Sequence, residues 1–96
     1  MKYTPGPWSV GTKQGDTIIA DKKHARHDRE TGHDAIDYYG GVCVAESVLP
    51  ENRELIAAAP EMLEALKAVN SSAEWDYLEG NVQEAVAAAI TKAEGV

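Results

Sequence analysis

The apolar positions near the start of the chain recur with the period of a strand. Trp8-Ser9-Val10 alternates apolar, polar, apolar, as a strand with one face on a core does. Gly11 and Gly15 lie among polar residues up to Asp16 and predict a turn. Thr17-Ile18-Ile19-Ala20 is then a β-branched run, the composition of a second strand. The two predict an antiparallel hairpin. Ahead of it, Thr4-Pro5-Gly6-Pro7 is an extended lead-in, because its prolines fix φ and lack donors. The pattern then fails: between Asp21 and Asp34 the one apolar residue is Ala25. Such a segment buries too little to order itself, so residues 21–41 read as a long mobile loop, with Ile36, Tyr38 and Tyr39 rejoining the body. Gly40-Gly41 turns the chain into a third strand, Val42 to Ala45.

From Leu49-Pro50 onward the period becomes helical. Glu51 to Ala59 is rich in helix formers, and Pro60 forces a break or kink there while suiting the first turn of a new helix. Glu61 to Val69 follows, with Met62, Leu66 and Val69 on one face. Ser72 can cap a short element containing Trp75 and Tyr77. Gly80 breaks the chain, Asn81 and Glu84 have capping-box spacing, and a last helix runs from Val82 to about Ala93 before Gly95 stops it. Strands within 8–46 and helices within 50–94, in separate blocks, imply an α+β fold. We expect a single domain over residues 1–96, with a three-stranded antiparallel sheet followed by two to four helices packed on one face.

Charge changes this picture in one respect. The chain of 96 residues carries 16 Asp/Glu against 9 Lys/Arg. Residues 1–50 hold seven acids and six bases, a balance of −1, and residues 51–96 hold nine acids and three bases, a balance of −6. A surface this negative argues against direct nucleic-acid contact, which needs Lys and Arg, and favours a basic partner. Some of the acids have a plainer reason. Glu51, Glu54, Glu61, Glu74 and Glu84 fall in the first turns of their predicted helices, where a carboxylate gains about 0.3–1 kcal/mol from the helix dipole. Glu64, Asp76, Glu79 and Glu94 are left over.

Candidate chemistry is sparse. His24, His27 and His33, with Asp28, Asp34 and Asp37 nearby, offer metal-ligand types, but Lys22, Lys23, Arg26 and Arg29 in the same run repel a cation, so a solvated mixed-charge segment is the reading and no cofactor is expected. Cys43 lies between valines, which raise a thiol's pKa by desolvation, and reads as a buried, inert thiol. No serine has the setting of a nucleophile elbow and no glycine loop has phosphate-cradling spacing, so an enzyme is not expected. Trp75 and Tyr77 are large rings in a chain without Phe; rings serve cores and interface hot spots alike, and core is the first reading for both. No apolar run approaches the roughly 18 residues of a membrane span, and the N-terminus lacks the apolar stretch of a signal peptide. A bacterial cytoplasm is the expected compartment.

Thr4-Pro5-Gly6-Pro7-Trp8 followed by a strand hairpin resembles the start of small phage and prophage proteins of uncharacterised function. The segment from Asn52 through Leu55-Ile56-Ala57-Ala58-Ala59-Pro60-Glu61-Met62-Leu63-Glu64-Ala65-Leu66 is similar to their central helix, and Ile90 to Gly95 to their ending. The resemblance covers about half the chain and departs over 21–41, where that family often has a shorter connection. It implies a phage accessory protein and carries no catalytic residues. By analogy, acidic phage proteins of this size resemble inhibitors of host defence such as anti-CRISPR proteins. The expectation is therefore a protein that occupies a basic, nucleic-acid-binding surface on a host protein, with Glu64, Asp76 and Glu79 as contacts beside Trp75 and Tyr77. Two alternatives stay open. One is a sponge for a nucleotide immune signal, using Arg26, Arg29, Tyr38 and Tyr39; the other is an interaction domain with an unrelated phage role.

Overall fold

A computed structural model describes residues 3–27 and 33–95; the side chains of residues 25–27 and 33–34 lie outside that description. The fold is α+β, as the patterning predicts. Three strands, β1 (Trp8–Val10), β2 (Ile18–Ala20) and β3 (Val42–Ala45), form one antiparallel sheet in the order β1-β2-β3. The described α-helices are α1 (His33–Tyr39), α2 (Arg53–Ala57), α3 (Ala59–Asn70) and α4 (Gly80–Glu94). Short 3-10 turns occupy Lys22–His27, Pro50–Asn52 and Trp75–Tyr77. The chain groups into two compact units. Thr4–Pro60 contains the sheet, and residues 61–95 with Tyr3 contain most of α3 and all of α4.

In the sheet unit, β2 is the middle strand and the best buried. Thr17 is 2%, Ile18 0% and Ala20 3% exposed. Antiparallel partners share a face, so Trp8, Ala20 and Val42 line up on the core side. Ile19 is directed to the opposite face, beside Ser9 and Cys43. Pairing jumps from Ile18↔Ala45 to Ile19↔Cys43, so Val44 has no residue opposite it and forms a bulge, which increases the local twist. The hairpin turn is closed by the Gly11 amide donating to the Thr17 carbonyl at 2.9 Å and by the Thr17 hydroxyl donating to the Gln14 carbonyl at 2.5 Å. The second bond satisfies the hydroxyl of a buried threonine, which would otherwise cost a desolvation penalty. Helix α2 packs across β1 and β2, and α1 packs against β3.

The lead-in is held at two points. The Trp8 indole N–H donates to the Thr4 carbonyl at 3.0 Å, and Gly6 lies so close to Pro60 that a Cβ on it would stand 2.6 Å from the proline Cβ. Two of the segments that carry the phage resemblance, the Pro-Gly-Pro-Trp start and the Ala-Pro opening of α3, therefore meet in space. The chain leaves β3 through Ser47, a non-glycine residue at φ 60°. That left-handed turn aims Val48 inward, where it is buried and its amide donates to the Asp16 carbonyl at 2.8 Å.

Two sequence readings need correction. Residues 21–41 are not a featureless loop: 3-10 turns occupy 22–27 and helix α1 occupies 33–39, so two helical pieces precede the third strand. His, Asp and Tyr are indifferent helix formers, and α1 is fixed instead by its C-terminal end. Gly40, at φ 82°, closes it, with the Gly40 and Gly41 amides both donating to the Ile36 carbonyl. The Lys13 ammonium donates to the Asp37 carbonyl at 2.9 Å, a cation on the negative end of a helix. Gly41 follows because a Cβ there would stand 2.5 Å from the Ala20 carbonyl oxygen.

The second correction concerns the last helix. It begins at Gly80, with Glu79 in the N-cap position and no side-chain capping bond, so Asn81 and Glu84 do not form a capping box. Gln83 uses its side-chain amide to donate to the Trp75 carbonyl at 2.8 Å, which ties the 3-10 turn to α4. Gly95 ends the helix at φ 74°, as its position predicts. Pro60 is the second residue of α3, and the break between α2 and α3 falls at Ala58.

Ser47→Gly should raise stability by about 0.5–1 kcal/mol by relieving the left-handed backbone. Gly6→Ala should lower it by roughly 1–3 kcal/mol, because the new methyl overpacks against Pro60. Urea denaturation midpoints of the two variants check both signs.

Candidate functional site

In the helical unit, α3 buries Leu63 and half-buries Leu66. Met62 and Val69, predicted for the inner face, are 42% and 41% exposed. On α4, Val86 and Ile90 are half-buried while Val82 is 40% exposed. Lys67 and Glu94 form an ion pair at 2.8 Å between the two helices. The hydrogen bond to Glu94 raises the Lys67 pKa above its ordinary value, against a smaller opposing desolvation.

The connector between α3 and α4 carries most of the predicted contact residues. Trp75 is half-buried and its carbonyl is held by Gln83. Tyr77, two residues on, is 87% exposed, so the core reading of that ring is corrected: the short turn cannot direct both rings inward. Glu74, Asp76 and Glu79 are exposed along the same six residues, and Glu64 is exposed on α3. The structure thus groups Trp75, Asp76, Tyr77 and Glu79 in one surface segment and sets Glu64 on a separate element. Two of the acids have helix-dipole reasons that patterning misassigned. Glu79 stands at the N-cap of α4 and Asp76 in the first turn of the 3-10 helix, whereas Glu84 lies beyond the first turn of α4.

The sheet unit holds the other candidates. Among the described residues, no three His, Cys, Asp or Glu side chains gather as a metal would need. The side chains of His27 and His33, and all of Asp28, lie outside the description, and His24 sits half-buried in the 3-10 turn. Cys43 is half-buried rather than buried. For the nucleotide alternative, the Arg26 side chain and Arg29 are likewise outside the described residues. Tyr38 is 58% exposed, with its ring edge-on to Tyr39 at 5.0 Å. The Tyr39 hydroxyl donates to Glu46 Oε2 at 2.8 Å. That bond, with lesser help from desolvation and the Glu46 charge, pushes the Tyr39 pKa up to about 12.

Patterning did not single out a cleft of ≈ 220 Å³ lined by Pro7, Trp8, Ser9, Ile19, Ala20, Asp21 and Gly40. Its walls come from the hairpin and the end of α1, and a hairpin's alternation gives no sign of a concavity where a third element meets it.

No helix among the described residues is long and apolar enough to cross a membrane. In spectrophotometric titration Tyr39 should ionise near pH 12, above the ordinary tyrosine value of about 10, and Glu46→Gln should bring it down. Because the folded value is raised, the bond stabilises the fold fully below about pH 10 and is lost as pH rises through about 12. A Tyr39 titration unchanged in the variant would contradict the assignment.

Searches of curated proteins and of solved structures each return no match. One family profile aligns with residues 1–96, the whole chain. This chain belongs to the family described as Salmonella phage P22 protein Y8K6.

Proposed function

We propose that this phage-family chain is an accessory protein that binds a basic, nucleic-acid-binding surface of a host protein. A defence effector of the CRISPR–Cas kind is the class of target in view. The observation that carries the reading is the connector Glu74–Glu79, where Tyr77 stands 87% exposed among the exposed carboxylates of Glu74, Asp76 and Glu79. An aromatic ring held out in water contributes little to its own fold. It is the kind of group that becomes an interface hot spot, and its face attracts an arginine or lysine. The surrounding charge suits the same partner. Residues 61–95 hold seven acids and two bases, a balance of −5, and one of those bases, Lys67, is paired with Glu94. Such a field speeds encounter with a basic surface and discriminates against acidic ones.

The test is capture from host lysate, identification of the bound protein, and competition with duplex DNA. The charge reversal Glu64→Lys/Asp76→Lys/Glu79→Lys should abolish capture, and Tyr77→Ser should weaken it at least about tenfold. DNA should displace the partner. Retention by the triple variant, indifference to DNA, or the absence of any partner overturns the reading. Circular dichroism of the variants separates lost binding from lost folding.

A further inference from the structure

We infer that Gln83 is a positioning residue: its side-chain amide holds the connector in one conformation, with Tyr77 directed outward, before a partner arrives. What Tyr77 is presented to rests on the binding role proposed above; how it is held does not.

The connector is too short to hold itself. Its turn, Trp75–Tyr77, has three residues. Its bonds are of the i→i+3 kind: the Tyr77 amide donates to the Glu74 carbonyl at 3.0 Å and the Leu78 amide to the Trp75 carbonyl at 3.1 Å. Such bonds have poorer geometry than those of an α-helix, and each ordered residue gives up backbone freedom. A lone turn fixes several dihedrals for each bond it gains, so it persists only when something outside it contributes.

Gln83 makes that contribution. It lies at the fourth position of α4, a helix of 15 residues, and its side-chain amide donates to the same Trp75 carbonyl at 2.8 Å. That oxygen therefore accepts twice, from Leu78 and from Gln83, which uses both of its lone pairs. Trp75 and Leu78 are half-buried on either side, and Asp76 and Tyr77 between them are exposed.

The place of this bond on the helix is informative. Gln83, Val86 and Ile90 are half-buried at i, i+3 and i+7, one face of α4. An apolar residue would continue that stripe. A glutamine there brings a polar group that needs a partner, and the partner is the connector backbone. A segment already held in its binding shape loses less freedom on association, so a bond set back from the contact residues still acts on affinity.

The test uses the full chain. Gln83→Met keeps the side-chain length and removes the donor. Amide hydrogen exchange followed by NMR should quicken at least about fivefold at Tyr77 and Leu78, as loss of one hydrogen bond does, and stay unchanged at Val86 and Ile90. Against the partner captured above, Gln83→Met should weaken binding at least about fivefold. In the Tyr77→Ser background it should cost less than about twofold, because it acts through that ring. Unchanged exchange at Leu78 overturns the positioning role. So does equal quickening at Val86 and Ile90, which would mean that α4 itself had opened, or an equal loss of binding in both backgrounds. If the native chain captures no partner, the binding role fails, and the exchange measurement alone decides whether Gln83 holds the connector.

Discussion

The burial of β2 is the constraint on which the sheet unit depends. A strand of three residues, with Thr17 before it, holds Ile18 and Ala20 at near-zero exposure, and Val42 of β3 is buried beside Ala20 at 1%. Removing one, as in Ile18→Ala, would forfeit about 2–5 kcal/mol, a large part of what a small fold has in total. Neighbouring features answer to that strand. Gly41 lacks a side chain because the Ala20 carbonyl is there, the bulge at Val44 lets β3 follow the strand's twist, and the left-handed Ser47 returns Val48 to the same core. The hairpin turn is bonded so as to leave no buried hydroxyl unsatisfied.

The two units hold themselves by different means. The sheet unit combines tight backbone approaches with a small apolar centre. The helical unit has Leu63 as its buried apolar residue among those described and relies on an ion pair, a side-chain bond to the connector and half-buried Leu66, Val86 and Ile90. Met62, Val69 and Val82 are exposed in it, as are Glu61, Glu64, Glu74, Asp76, Glu79 and Glu84. The family assignment specifies only a phage origin.

Much of the fold was legible because patterning reports burial. The alternation at Trp8–Val10, the β-branched run at Thr17–Ala20 and the valines around Cys43 each became a strand. Gly95 stopped its helix because glycine tolerates positive φ. What escaped was decided by contacts distant in sequence. α1 lacks a strong helical composition and is held by Lys13 from 24 residues away. The capping box failed because Gly80 joined the helix and moved its start upstream, which the Gln83 bond to Trp75 accompanies. Of the candidate contact residues, Trp75, Asp76, Tyr77 and Glu79 lie in one surface segment because they are close in the chain. Patterning could not tell that one ring of the pair is turned outward, because a 3-10 turn of three residues has no period long enough to read. The Trp8 cleft was invisible for a related reason: it is a property of three segments meeting, and no one of them carries its mark.

The approach of Gly6 to Pro60 draws together two ends of the sheet unit. It joins the lead-in to the first turn of α3 through a contact between residues that bracket the sheet unit in sequence. The connection between β2 and β3 takes no part in it. That connection is fastened separately, by the Lys13 bond to the Asp37 carbonyl and by the close approach of Gly41 to the Ala20 carbonyl. The sheet unit is thus closed twice, at Gly6 against Pro60 and at Gly41 against Ala20, each time at a residue whose lack of a side chain permits the approach.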